Sequence, residues 1–300
     1  MSKAKANTPA VSPALEGTLA ELRNHGSEAV AAEYRARGAV GEVLGVKQAD
    51  LEKLAKKIGT DQMLADSLWM TGGFDAQLLA AMIAEPAKAD FAQLDRWAKA
   101  TTSYPVADAL GAVAGKSPAV SVCFSAWTTH RGAGGEHVHR CGWNALASGL
   151  ANASPLGAMT IKNALVTIER TMKNAPNRVK QAMNGALISI GAYRDDFLAP
   201  ATALAQKLGT VKIDHGDSGD ADVDATSEMA RLRAERLNPK AAKPAAKPAA
   251  APKAAEKPAE KAPAKAAKEP AKAEPKVAAK PAAKAAAEKP AKAGKKVASK

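Results

Sequence analysis

The sequence predicts an all-α fold, for three reasons. Apolar residues recur at i, i+3 and i+4 in about a dozen consecutive segments. Gly, Pro, Ser, Asn and Asp punctuate the chain between these segments, as they do at helix ends. No useful length of chain alternates between polar and apolar residues with the period of two that a half-buried strand requires. A simple helix bundle has fewer helices than this. Each pair of consecutive helices spans about 35–45 residues, which favours an α-α superhelix of HEAT-like antiparallel helix pairs.

The candidate helices follow one another from Pro13 onward, after residues 1–12, which we expect to be an unstructured leader. We assign residues 13–237 to one helical domain, because only short connections separate its segments. The segments are, in order, 14–26, 27–38, 47–59, 60–73, 74–87, 88–101, a helix started by Pro105, 117–130, 137–153, 154–174, 175–191, 195–209 and 224–237.

The Pro105 helix carries an acidic residue on the side away from its apolar stripe. Proline suits the first turn of a helix, so Val106, Leu110 and Val113 fall on one face. Asp108 lies about 160° from that stripe at about 100° per residue. Two interpretations stay open for Asp108. It is either a solvated acid that complements the helix dipole or a catalytic carboxylate on a concave surface.

Arg140 lies in the segment HVHRCGWNALASGLA, near the start of its helix. A guanidinium there gains nothing from the helix dipole, so another partner is implied, either a phosphate or an intramolecular carboxylate. His137 and Cys141 are i, i+4 neighbours in the same segment. Two ligands do not close a zinc site, so we expect no metal, and we expect solvent-facing or nucleic-acid-contacting histidines instead.

Residues 238–300 form a tail rich in Lys, Ala and Pro, which we expect to be disordered. Its 17 lysines and five glutamates give it a net charge of +12, whereas the 26 basic and 25 acidic residues of 1–238 nearly cancel. With no aromatic residue, the tail cannot bury enough surface to offset the entropy of ordering. A polybasic arm binds nucleic-acid backbone through counterion release; a solubilising tail without a partner is the other possibility.

The remaining features of the sequence limit the location of the protein. Cys123 and Cys141 are the only cysteines, and neither a secretory leader nor an apolar run of 18 residues is present. We therefore expect a cytoplasmic, nucleoid-associated protein with reduced thiols, no membrane contact and a monomeric state.

Four stretches together resemble the DNA alkylation repair enzyme family, the AlkD-type HEAT-repeat DNA glycosylases. The similarity spans roughly residues 15–235 and depends on the order and spacing of the stretches. They are LGVKQADLEKLAKK, the aromatic-x-x-x-Asp motif in SYPVADALG, VHRCGWNALASGLA, and MNGALISIG followed by KIDHGDSG.

This resemblance implies binding of duplex DNA and hydrolysis of the N-glycosidic bond of N3- or N7-alkylated purines, with no metal or organic cofactor. It implies that Asp108 is catalytic, that Arg140 contacts a DNA phosphate and that Tyr104 packs on the sugar or lesion. The family is described as leaving the lesion outside any base-flipping pocket. A family tryptophan is Tyr104 here, and a second is Gly185, which removes one wall of the aromatic cleft. The alternative is a non-catalytic DNA- or protein-binding module or a nucleoid-compacting protein.

Overall fold

The computed structural model describes residues 12–216 and 221–239, and every regular element in that part of the chain is helical. Two short 3-10 helices, Met172–Asn174 and Asp195–Phe197, accompany thirteen α-helices. The α-helices are α1 (Pro13–Asn24), α2 (Glu28–Ala36), α3 (Gln48–Ile58), α4 (Gln62–Met70), α5 (Phe74–Ile83), α6 (Phe91–Lys99), α7 (Tyr104–Gly115), α8 (Val120–Thr128), α9 (Gly135–Ala151), α10 (Ala158–Thr171), α11 (Asn177–Tyr193), α12 (Leu198–Leu208) and α13 (Ala225–Leu237).

The polar punctuation of the sequence sets the helix ends. The side chains of Asp61, Asp90 and Asp224 each accept a hydrogen bond from a backbone N–H three residues later, which caps α4, α6 and α13. Helices α3 and α12 end at Gly59 and Gly209, which take positive φ angles of 75° and 65°. The helix predicted around Pro105 begins one residue earlier, at Tyr104.

The helices pack as antiparallel pairs in two layers. In one layer, α3, α5, α7, α9, α11 and α13 contact one another in succession. Helices α4, α6, α8, α10 and α12 each pack on the helix that follows them in sequence. This arrangement confirms the predicted stack of helix pairs, and it places the helix of Asp108 beside that of Arg140.

Tryptophans fill the interior of the stack. Trp69 and Trp97 lie parallel with ring centroids 4.3 Å apart, and the indole of Trp69 donates to the carbonyl of Trp97. Trp127 donates to Asp95, and Trp143 meets Phe124 edge to face. All four tryptophans of the chain are buried. None of them is therefore exposed to contact a DNA strand.

Two predicted segments lie mostly outside the described residues. These are the unstructured leader at 1–12 and the disordered tail at 238–300. Both stay predictions, and so does the assignment of 13–237 to a single domain. Among the described helices, none is long and apolar enough to cross a membrane.

Candidate functional site

Asp108 lies in the second turn of α7, on the side of that helix that faces α9. Val106, Leu110 and Val113 are buried as predicted. The side chain of Asp108 is 41% exposed, so the carboxylate is neither in the core nor fully solvated. It lies at the rim of the α7–α9 contact, where a ligand can reach it.

The partner of Asp108 is Arg140 on α9. The guanidinium makes a bidentate ion pair, with Nε 2.5 Å from Oδ1 and Nη2 2.8 Å from Oδ2. Arg140 is only 7% exposed, whereas its carboxylate partner is open to solvent. Of the two partners that the sequence left open for Arg140, the structure provides the intramolecular carboxylate. Contact between Arg140 and a phosphate stays a prediction.

Asn144, one turn beyond Arg140 on α9, holds the carboxylate from a second direction. Its Nδ2 donates to Oδ1 of Asp108 at 2.5 Å. This contact depends on Gly111, because a Cβ at that position would lie 2.4 Å from Cβ of Asn144. The glycine therefore lets α7 and α9 approach closely enough for both hydrogen-bond donors to reach Asp108.

Helix α11 closes the other side of the guanidinium. Nη1 of Arg140 donates to the carbonyl oxygen of Arg178 at 2.6 Å and to Oε1 of Gln181 at 3.0 Å. All three nitrogens of Arg140 are thus engaged within the protein. A carboxylate held by a guanidinium that is itself fixed has a well-defined position, which electrostatic catalysis requires.

Tyr104 lies beneath a second guanidinium. Cζ of Arg178 is 4.2 Å from the centroid of the Tyr104 ring, and Cζ of Arg140 is 5.3 Å from it. Gly38 borders the ring on another side, since a Cβ there would lie 2.3 Å from Cε1 of Tyr104. Arg178 therefore covers part of the aromatic surface that, by the family resemblance, would pack on the sugar or lesion.

Arg178 is the residue of the site that sequence reasoning missed. It lies in the first turn of α11 and makes no ion pair with any carboxylate of the described residues. Its backbone N–H donates to Oε1 of Glu136 at 3.3 Å. The signal was present in the segment APNRVK, because an arginine in the first turn of a helix opposes the dipole just as we had argued for Arg140.

The sequence-predicted residues Tyr104, Asp108 and Arg140 thus meet in one place. Arg178 joins them through the ring of Tyr104 and through Gln181, and Glu136 brings a second carboxylate to the backbone N–H of Arg178. Burial lowers the pKa of the nearby His137. The Glu136 carboxylate raises this pKa in part and the Arg140 cation lowers it further, so the imidazole is neutral at pH 7.

The neighbouring thiols do not supply a nucleophile. Burial raises the pKa of Cys141, and the Asp108 carboxylate raises it further. Burial likewise raises the pKa of Cys123 to about 12. Because the thiolate is the reactive form, neither cysteine attacks at neutral pH.

The described residues bring no three His, Cys, Asp or Glu side chains together that could hold a metal ion. Nε2 of His139 lies 2.7 Å from the carbonyl oxygen of His130.

Gly185, where the resemblance implies a tryptophan, lies on α11. It lines a pocket between α9, α11 and α13, and a Cβ added there would meet no atom within 4 Å. The missing side chain therefore leaves open space and not a repacked core.

Comparisons with known proteins agree with this architecture. An uncharacterized protein of Listeria innocua serovar 6a is 23% identical over 201 residues, covering 66% of this chain and 86% of its own length. One of Listeria monocytogenes serovar 1/2a is 23% identical over 196 residues, covering 64% of this chain and 84% of its own.

A solved structure has the same fold, with a TM-score of 0.64 and 24% identity, over 75% of this chain and 95% of that one. It is described as a new family of proteins related to the HEAT-like repeat DNA glycosylases with affinity for branched DNA structures. This likeness confirms the HEAT-like superhelix predicted from the helix pattern. The model of the DNA alkylation repair enzyme family matches residues 18–207, and the chain therefore belongs to that family.

Proposed function

We propose that this protein binds DNA at the surface formed by α7, α9 and α11 and hydrolyses the N-glycosidic bond of N3- or N7-alkylated purines. The observation that carries the proposal is the half-exposed carboxylate of Asp108, held on both oxygens by the buried guanidinium of Arg140. Membership of the DNA alkylation repair enzyme family supports the same chemistry.

The alkylated purine is cationic and leaves readily, so the sugar becomes positively charged as the bond breaks. A carboxylate near the sugar stabilises that oxocarbenium-like transition state electrostatically. In this proposal Asp108 has that role and also orients the attacking water. Arg140 and Asn144 fix the carboxylate beforehand, so little reorganisation is needed when the charge develops.

We propose that the DNA backbone meets the guanidinium of Arg178 and the ring of Tyr104, with Arg140 directly behind them. Arg178 has no carboxylate partner among the described residues, so a phosphate would supply one. The chain would act as a monomer in the cytoplasm, and its tail would keep it on the nucleoid.

Asp108→Asn tests the catalytic role. With duplex DNA containing N7-methylguanine, we expect the rate of base release to fall about 100-fold or more, because the stabilising charge is lost while the shape remains. Asp196→Asn is the matched control, since Asp196 also makes a bidentate pair, with Arg194, but away from the site. Thermal unfolding of both variants shows whether each still folds, because Asp108→Asn leaves a buried guanidinium without its charge partner.

A second candidate function is binding of DNA structure without cleavage. Two observations favour it: Arg140 and Asn144 already engage the oxygens of Asp108, and the four tryptophans are buried. The related solved structure belongs to proteins with affinity for branched DNA. If the wild-type protein releases no base but binds a four-way junction more tightly than a linear duplex, the second candidate is correct and the first is wrong.

A further inference from the structure

A pocket of about 550 Å³ opens beside the Asp108 site, between α9, α11 and α13. Its size lies within the range of about 300–1,000 Å³ that is typical of small-molecule sites. Most of its wall is aliphatic, formed by Ala147, Ile188, Ile213, Ala221, Val223 and Leu232. Among the described residues that line it, the imidazole of His215 is the one aromatic ring, and no Trp, Tyr or Phe side chain is present.

A few polar groups interrupt the aliphatic wall. Asn184 is 5% exposed; its Nδ2 donates to the carbonyl oxygen of Val223 at 3.1 Å, and its Oδ1 has no hydrogen-bond partner in the described chain. His215, with a side chain 11% exposed, has Nε2 3.3 Å from Oδ1 of Asp222 but not aligned with it for a hydrogen bond. Within the described residues, this acceptor and this imidazole are left without a hydrogen bond, which favours a bound polar partner, either water or a ligand.

Gly185 lines the pocket at a point where only a side chain larger than alanine would fill it. A glycine within a helix destabilises it relative to alanine, so a packing reason is expected. No such reason exists here, because a Cβ at 185 would meet no atom within 4 Å. The neighbouring turn of α11 provides Gln181, which also lines the pocket and accepts hydrogen bonds from Arg140 and Arg178. One side chain therefore joins the pocket to the cationic site.

The geometry points to a binding site for one unstacked nucleobase of the DNA strand whose phosphate meets Arg178. This inference rests on the proposed DNA binding and adds the place at which one base of the bound strand lies. The aliphatic walls suit the two faces of a planar ring, and the amide of Asn184 and the imidazole of His215 suit the hydrogen-bonding edge of a base. The resemblance in the sequence implied no base pocket, so this proposal differs from that expectation.

The test compares Gly185→Leu, which fills the opening without adding an aromatic ring, with Gly185→Ala, which adds only one carbon to open space. The probe is end-labelled duplex DNA with a single unpaired 2-aminopurine, and the full-length protein is used. Anisotropy of the label reports DNA binding, and 2-aminopurine fluorescence reports unstacking of the base. For the wild type and Gly185→Ala we expect fluorescence to rise about threefold or more on binding, because the base leaves the neighbouring bases that quench it and the described pocket wall has no Trp, Tyr or Phe ring to stack on it.

For Gly185→Leu we expect the rise to be lost and the preference for the bulged over the fully paired duplex to fall about tenfold. A wild type that binds the DNA without a fluorescence rise, or a Gly185→Leu rise equal to that of the wild type, overturns the pocket assignment and leaves DNA binding standing. If the wild type binds no DNA, the proposed function fails instead. Titration with free 2-aminopurine deoxyriboside then decides the pocket alone: a fluorescence change present in the wild type and absent in Gly185→Leu supports it, and no difference between them overturns it.

Discussion

Arg178 is the residue through which the site first meets a DNA phosphate in our proposal. Its guanidinium lies 4.2 Å from the centroid of Tyr104, on the outer side of the buried Arg140. Arg140 already donates from all three of its nitrogens inside the protein. We therefore propose that Arg140 positions the carboxylate and that Arg178 is the first to meet an incoming anion, while contact between Arg140 and a phosphate stays a prediction.

Arg178→Met should weaken DNA binding and make it less dependent on salt. One phosphate contact fewer lowers the slope of log K against log salt concentration by about 1. Arg170→Met is the matched control, because Arg170 is an exposed arginine on α10, outside the layer of α7, α9 and α11. Binding isotherms between low and physiological salt measure both slopes. Equal slopes for the two variants would show that Arg178 does not contact the backbone.

The sequence identified which types of residue lie at the site but not how they pair. Asp108 and Arg140 are 32 positions apart, so their ion pair depends on how α7 packs on α9. The sequence pattern left two interpretations open for Asp108 and two for Arg140. Only the packing of the helices shows that these two residues pair with each other. Arg178 is 38 positions further along the chain and joins the site through the contact of α9 with α11.

The contact between α7 and α9 is the element that assembles the site. Gly111 faces Asn144, and Gly115 faces Ser148, so two glycines one turn apart let the helix backbones approach. The sequence predicted both helices from Pro105 and the apolar spacing, and those predictions are confirmed. Their separation was not predictable, because it depends on which face of each helix meets the other.

Gly111→Ala and Gly185→Ala compare a glycine at a close contact between helices with a glycine beside open space. The first places a Cβ 2.4 Å from Cβ of Asn144, so the helices must move apart, and we expect a loss of about 1–3 kcal/mol in the free energy of unfolding. The second places a Cβ in open space and should raise the free energy of unfolding by about 0.5–1 kcal/mol. Urea unfolding measures both; a stable Gly111→Ala variant with undiminished base release would contradict the proposed packing of the site.

For the whole molecule, the net charge is distributed unevenly along the chain. Residues 1–238 carry 26 basic and 25 acidic side chains, whereas residues 239–300 carry 17 lysines and five glutamates. A nearly neutral body attracts DNA only through a local cationic cluster such as the one at Arg178, while the tail attracts any polyanion. Composition alone was enough to predict this division, because it depends on counts of residues and not on their arrangement.

Deletion of residues 239–300 should therefore weaken binding to undamaged duplex DNA without removing the chemistry. Because the tail has 17 lysines, its counterion release sets an upper limit of about 15 on the loss in salt slope. We expect base release from N7-methylguanine DNA to persist in the truncated protein at low salt, since Tyr104, Asp108, Arg140 and Arg178 all lie in the helical stack. Binding isotherms and base release, measured on the same preparation, separate the two effects. If all DNA affinity disappears with the tail, the helical stack is not the DNA-binding part, and nucleoid compaction by the tail becomes the better description.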